Sequence, residues 1–330
     1  MKQPRKTGLV VLFNHNYEKN ISIIKDLYKP RFGELKILMP FYYGDDEDVL
    51  HVYGNSFVFH TYICQAKKAL MQMDCDDFLI IGDDLLLNPE LNENNIHEKL
   101  SIPDGAFYID GVEDVSKGDY NRPVFEATRF SPSFPGLDSS ANRCVPSFDE
   151  AFEILKQKNL ISTTKLRKWT PFYPTFKKGG MKSILANYKI FKARMWHFLK
   201  VIQYKLKGVD MPYPYVFGYS DILLIPREKM LELCTYLEVF ATWRMFVEMA
   251  IPTAMMLLPD TTVCYASHTN YRTGNVWYPS DPKHFNKISG IIKDLLNSSS
   301  TPNALSAHFP SDYLYLHPVK LSKYNKGNAE

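Results

Sequence analysis

Three things are scarce in this chain, and each absence excludes something. Its five cysteines, Cys64, Cys75, Cys144, Cys234 and Cys264, never form a C-x-x-C pair. That argues against a zinc ribbon or a thiol–disulfide motif, and an odd, widely spaced set fits a reducing compartment. Long apolar runs are missing too. The opening MKQPRKTGLVVLFNHN has a basic start, but its apolar run is only about six residues, too short for a signal-peptide core. No other window reaches about 18 uncharged apolar residues, so no membrane span is expected. The formal net charge is only +3, which argues against a dedicated nucleic-acid binder. H-E-x-x-H, G-x-S-x-G, G-x-x-x-x-G-K-[ST] and G-x-G-x-x-G are all absent. The zincin, serine-hydrolase, P-loop and dinucleotide-binding readings therefore lack their signatures. A cytoplasmic location is expected.

What is present alternates. GLVVLFN reads as a strand buried on both faces, then NYEKNISIIKDLYKPRF as a helix on Ile21, Ile24, Leu27 and Tyr28 that Pro30 closes. ELKILMPFY is a second strand. SFVFHTYICQAKKALMQM is a helix with Phe57, Ile63, Ala66 and Leu70 on its apolar side, Ser56 as its cap and His60 packed inward. DFLIIGDD is a third strand. Strand–helix–strand–helix–strand over about 80 residues predicts an α/β fold with a mostly parallel sheet. In such sheets ligands bind beyond the carboxyl ends of the strands.

Asp83 and Asp84 stand at such an end, after the buried run Phe78-Leu79-Ile80-Ile81 and Gly82. Adjacent carboxylates repel each other unless a cation neutralises them, and oxygen donors suit Mg²⁺ or Mn²⁺. The alternative is that one aspartate caps the next turn and the other is solvated. The aromatic content of 14% fits an ordinary core as well as a sugar surface.

Over residues 8–115 the order of elements and IGDDL resemble the nucleotide-binding half of GT-A-fold glycosyltransferases, although IGDDL is not a strict D-x-D motif. The resemblance implies that Asp83, Asp84 or both hold a metal–nucleotide-sugar complex, and that Phe13, Asn14 and His15 after the first strand contact the nucleotide. VFGYSDILLIPREKMLELCTYLEVFATWRMFVEMAIPTAMM resembles the acceptor half of inverting members, with a strand near Asp221 to Ile225, a helix from about Arg227 and an aromatic–x–acidic motif. It implies Glu248 as the general base; the alternative is an ion pair with Arg244 at i−4. DYLYLHPVKLSKY reads as an edge strand with Tyr313, Tyr315 and His317 alternating. It resembles a C-terminal segment better known among retaining members. There His317 would complete the metal shell and Lys320 would meet the diphosphate; the alternative is that both simply end an exposed strand. The two likenesses point to opposite stereochemical outcomes, and both stay open. His268 in ASHTNYR lies in a polar loop within reach of an acceptor.

The middle of the chain lacks charge of one sign. Between Ile154 and Val209 there is no Asp or Glu, against 14 Lys and Arg. Within that run KSILANYKIFKARMWHFLKVIQYKLK reads as one amphipathic helix. Ile184, Tyr188, Phe191, Met195, Phe198, Leu199, Ile202 and Leu206 share one face, Lys182, Lys189, Lys200 and Lys207 lie opposite, and Trp196 sits towards the border. This is the pattern of a helix on an anionic membrane; the alternative is a helix packed by its apolar face onto its own protein.

The expectation is a single GT-A-like domain of a nucleotide-sugar-binding half (1–115), a basic amphipathic insertion (154–209) and an acceptor half (210–330). It would transfer a sugar, with Mn²⁺ or Mg²⁺, from a nucleotide diphosphate sugar to a glycan or lipid-linked glycan, as in surface-polysaccharide assembly. It would bind no nucleic acid and would dock peripherally on the inner face of the cell membrane. Two rivals remain. A nucleotidyltransferase would carry a glycine- and lysine-rich loop after the first strand, whereas LFNHNYEKN has no glycine. A non-catalytic scaffold with a degenerate transferase fold would bind no donor.

Overall fold

The computed structural model describes residues 5–117, 125–127, 129–132, 140–164, 176–177, 181–207, 211–277, 282–299 and 301–321. Two compact units emerge. The first comprises Met1–Gly111, Tyr219–Cys234 and Asp260–Glu330, and the second Val112–Gly218 and Thr235–Pro259.

The first unit is a helix-flanked α/β sheet, the fold class the sequence implies. Its elements in chain order are β1 (Thr7–Leu12), α1 (Lys19–Tyr28), β2 (Leu35–Pro40), β3 (Val49–Val52), α2 (His60–Leu70), β4 (Asp77–Gly82), β5 (Leu86–Leu87), α3 (Ile96–Leu100) and β6 (Phe107–Ile109). After the second unit's first segment come β7 (Ile222–Pro226), β8 (Val263–Tyr265), β9 (Arg272–Asn275), α8 (Pro282–Ser298), α9 (Pro302–Ala307) and β10 (Tyr313–His317). The main sheet has the order β3-β2-β1-β4-β7-β6-β8. Strands β1, β2, β3 and β4 pair in parallel, as do β6 and β8, while β7 runs against both β4 and β6.

That order creates a switch point. The chain leaves β1 towards β2 and β3, then returns through α2 to β4 on the other side of β1, opening a crevice where the carboxyl ends of β1 and β4 diverge. Because β7 is antiparallel, its amino end reaches the same edge, with Ile222 opposite Ile81. The carboxyl end of β6 arrives there as well, with Ile109 opposite Leu223.

The apolar runs that predicted β1 and β4 are the floor of this edge. Phe78, Leu79, Ile80 and Ile81 are all fully buried. At about 2 kcal/mol per buried apolar side chain they contribute about 8 kcal/mol, comparable with a domain's whole net stability, so the strand can carry a destabilising group at its end. On α1 the predicted Ile21, Ile24, Leu27 and Tyr28 are buried, and the helix stops two residues before Pro30. The α2 segment differs at its start. A short 3₁₀ turn, Ser56–Val58, precedes α2, and Asn55 rather than Ser56 caps it, accepting from the Phe57 N–H at 3.0 Å. An asparagine carbonyl one residue upstream reaches that donor.

A second sheet, β5-β10-β9, corrects the edge-strand expectation for β10. Strand β10 is paired on both sides and buried along its length. Its tyrosines pack inward rather than alternating with solvent. Gly274 permits the close approach of β9, since a Cβ there would collide with the Tyr315 carbonyl.

In the second unit, α4 (Phe148–Gln157) begins with a capping box in which Ser147 and Glu150 satisfy each other's backbone N–H. Then come α5 (Met181–Lys207) and α7 (Val247–Leu257), while α6 (Met230–Thr242) runs into this unit from the first. Trp243 is buried against Tyr213 and Phe240, with ring centroids 4.9 and 5.2 Å away, and its indole N–H donates to Asn142 Oδ1 at 2.9 Å. None of the helices formed by the described residues is long and apolar enough to cross a membrane.

Candidate active site

Chain reversal after β4 builds the centre of the site. Leu85 N–H donates to Gly82 O at 3.1 Å, turning the chain so that β5 runs back along β10. The turn carries Asp83 and Asp84. A Cβ at Gly82 would stand 3.3 Å from Asp84 Oδ1, a tight contact to which that carboxylate would have to yield. β10 delivers His317 opposite Asn275 of β9, and Val319 N–H donates to Asp84 O at 2.6 Å.

The side chains converge. His317 Nε2 lies 3.1 Å from Asp84 Oδ1, and its Nδ1 lies 3.6 Å from Asp221 Oδ2. Asn275 donates to Asp221 Oδ2 at 3.3 Å, and Trp277 sets its ring edge-on to the imidazole at 5.1 Å. Beside them Asp110, at the end of β6, accepts hydrogen bonds from the Tyr315 hydroxyl and, at 3.4 Å, from the Tyr108 hydroxyl. Asp83 faces the end of β1, accepting from Asn14 N–H at 3.3 Å, while its own N–H donates to Leu12 O at 2.9 Å.

The electrostatics follow from this crowding. Burial first, then the charge of Asp84, pushes the Asp83 carboxyl up to about 7, against the pull of the Asn14 N–H. Keeping it ionised therefore costs about 4 kcal/mol relative to water. Burial and the charge of Asp221 also raise Asp110 to about 7, against its tyrosine donors. Burial alone would lower His317, but Asp221, Asp84 and Asp110 outweigh it and raise the ring to about 9. The edge attracts positive charge, and an imidazolium supplies part of it.

Asp84 Oδ1 is an oxygen donor, and His317 Nε2, 3.1 Å away, becomes a nitrogen donor only once a competing cation displaces its proton. Among the described residues, no group of three or more His, Cys, Asp or Glu is arranged to hold a metal by itself. Two protein donors would leave most positions of a six-coordinate cation to other ligands.

The other residues singled out by sequence fall as follows. Phe13 is fully buried, so its side chain belongs to the core and the end of β1 presents Asn14 and His15. His15 is exposed, with its ring 5.8 Å from that of Tyr17. Lys320 is exposed and, with Lys293, lines a cavity of about 790 Å³ that shares Trp277 as a wall. Glu248 is the second residue of α7 in the second unit, and its carbonyl accepts from Gly218 N–H at 3.0 Å. Arg244 lies before that helix with φ of +60°, so its i−4 spacing from Glu248 is not a helical one. His60 is wholly buried, as its helix face implied, and exposed His268 accepts from Tyr265 N–H at 3.2 Å.

Sequence reading passed over Asp110, Asp221 and Asn275 as site residues. Asp110 closes an apolar run, FYID, as Asp83 closes FLIIGD, and that signal was available. Asp221 opens its strand rather than closing it, so only the antiparallel direction of β7 brings it to this edge. A second feature was also missed. Phe41, Tyr43 and Tyr53 are exposed beyond β2 and β3 around His51, with Tyr53 4.4 Å from the imidazole. Asn16 ties this cluster to the end of β1 by donating to Phe41 O at 2.8 Å.

No known protein family matches the chain, and no curated protein matches it in sequence. Among solved structures it is similar to the galactosyltransferase LgtC in complex with donor and acceptor sugar analogs. The identity is 10%, the match covers 85% of this chain and 82% of that one, and the TM-score is 0.31.

Proposed function

We propose that the chain is a glycosyltransferase that moves a sugar from a nucleotide diphosphate sugar to a hydroxyl of a glycan or lipid-linked glycan. The observation that carries this reading is the gathering of Asp83, Asp84, Asp110, Asp221 and His317 at the carboxyl edge of a mostly parallel sheet, at its switch point. Asp84 and His317 would hold Mn²⁺ or Mg²⁺, which when bound supplies positive charge for the diphosphate. Asp221, whose Oδ2 lies 3.6 Å from the ring's Nδ1, would favour this ring orientation through its charge. Asp83 fixes the Asn14 backbone, beyond which Asn14, His15 and the aromatic rings around His51 offer surfaces for a nucleoside. Lys320 places an ammonium for the leaving diphosphate.

Glu248 is the proposed base. It would take the proton of the acceptor hydroxyl as that oxygen bonds to the anomeric carbon and the carbon–diphosphate bond breaks.

The test is calorimetry of a panel of nucleotide sugars with and without Mn²⁺, followed by hydrolysis assays. One donor should bind in a Mn²⁺-dependent way and be slowly hydrolysed. Failure of every donor to bind under both conditions would favour the scaffold.

A further inference from the structure

Helix α5 is packed the wrong way round for an ordinary surface helix. At 100° per residue Ala186, Ile190, Ala193 and His197 share a side, and His197 is the fully buried member, its ring 5.2 Å from that of Phe125. The wide apolar stripe points elsewhere. Ile184, Leu185, Tyr188, Phe191, Met195, Trp196, Phe198, Leu199, Ile202 and Leu206 are exposed, from 38% at Ile202 to 83% at Leu206. A helix of a globular protein normally turns that stripe to the core. Ten large exposed side chains along some 30 Å of helix exceed the few hundred Å² of contiguous apolar surface that a soluble monomer usually shows.

We propose that α5 lies in the plane of an anionic lipid bilayer, its apolar stripe in the boundary between headgroups and acyl chains. Charge selects this occupant. No acidic residue occurs between Ile154 and Val209, so the helix has nothing to answer the cations of a second copy docked on the same stripe. Lys189 and Lys200 flank one side of the stripe, Lys192 stands within it between Leu199 and Leu185, and Arg194 on the other side stacks on the Phe176 ring at 3.9 Å. Lys192 lies 5.6 Å from the ring of Tyr188, and Lys200 5.8 Å from that of Trp196. Lysines folded along aromatic rings beside an apolar band are the edge chemistry of an interfacial helix, with stems in the apolar layer and ammonium groups at the phosphates. The side chains of Lys182 and Lys207 lie outside the described residues. This surface stands independently of the glycosyltransferase reading.

Each lysine at an anionic surface contributes about a factor of five in partitioning at low salt, so removing three lowers binding on the order of a hundredfold. Flotation of the full chain with phosphatidylcholine vesicles, with and without phosphatidylglycerol, tests the proposal beside light scattering of the free protein. Wild type should float with the anionic vesicles and be released by salt. A variant with Lys189→Gln, Lys192→Gln and Lys200→Gln should bind about a hundredfold more weakly. One with Ile184→Ser, Phe191→Ser and Leu199→Ser should not bind, while both melt like wild type because these side chains are exposed. Equal flotation of all three, or none for folded wild type at low salt, overturns the proposal. So does a wild-type dimer that the serine variant dissolves, which would make the stripe an interface between copies.

Discussion

His317 Nε2 stands 3.1 Å from Oδ1 of Asp84, across 233 residues of chain. Neither residue can hold a cation tightly alone. On the proposed reading they would hold a metal together and leave its other positions to the diphosphate. Asp84→Asn and His317→Ala should each lower donor turnover in Mn²⁺ by about a hundredfold, the scale of losing an ion's direct ligand or its orienting partner. Circular dichroism should stay native. Full turnover of both variants would remove the pair from the reaction.

Glu248→Gln should cut kcat by about 10²-fold or more, the loss expected for a positioned general base, while calorimetric affinity for the donor stays unchanged. An unchanged kcat would return Glu248 to a structural role at the start of α7.

Far from the candidate site, Asp77 is fully buried at the start of β4. It accepts from Arg5 Nε at 2.7 Å and Arg5 Nη2 at 2.8 Å, and its Oδ2 lies 2.8 Å from His97 Nε2. Deleting the carboxylate strands the Arg5 guanidinium and the His97 imidazole beside a buried strand end. Asp77→Ala should therefore cost about 3–5 kcal/mol in urea unfolding, moderated by Glu228, which also pairs with Arg5 at 3.0 Å. A loss below about 0.5 kcal/mol, the range of an exposed pair, would contradict this.

Burial lowers the pKa of His60 from 6.5 to about 3. The unfolded chain takes up this proton near 6.5 and the folded chain only near 3. The neutral ring's contribution is thus fully present above 6.5 and is lost as pH falls through that window, by about 1.4 kcal/mol per unit. His60→Leu removes the titration. The stability difference between variant and wild type should grow as pH is lowered from 7 to 5 in urea titrations. A constant difference would show that the ring takes up its proton equally in both states.

Much of the first unit was legible because burial on both faces leaves a plain mark. β1, β2 and β4 read as apolar runs, and α1 and α2 as periodic faces, since a strand or helix between two layers has little choice of residue. β3, with four residues and a half-exposed pattern, left too short a signal. β10 misled because alternating tyrosines resemble an edge, yet the large rings sit in a second sheet that no local pattern announces. For the site, sequence supplied the carboxylates at the end of β4 and the histidine of β10, because strand-terminal Asp and His are visible as residue types. It could not supply their company. Asp221 arrives through the reversed direction of β7 and Asp110 through its pairing with that strand, and both depend on hydrogen bonds between segments distant in the chain. The helix α5 shows the same division. The sequence by itself determined its length, its stripe and its lack of acid, since these are properties of spacing and composition. Only the tertiary structure decided that the narrow side with His197 faces the protein and the wide apolar stripe faces outward, because which face is covered depends on what the rest of the chain packs against it.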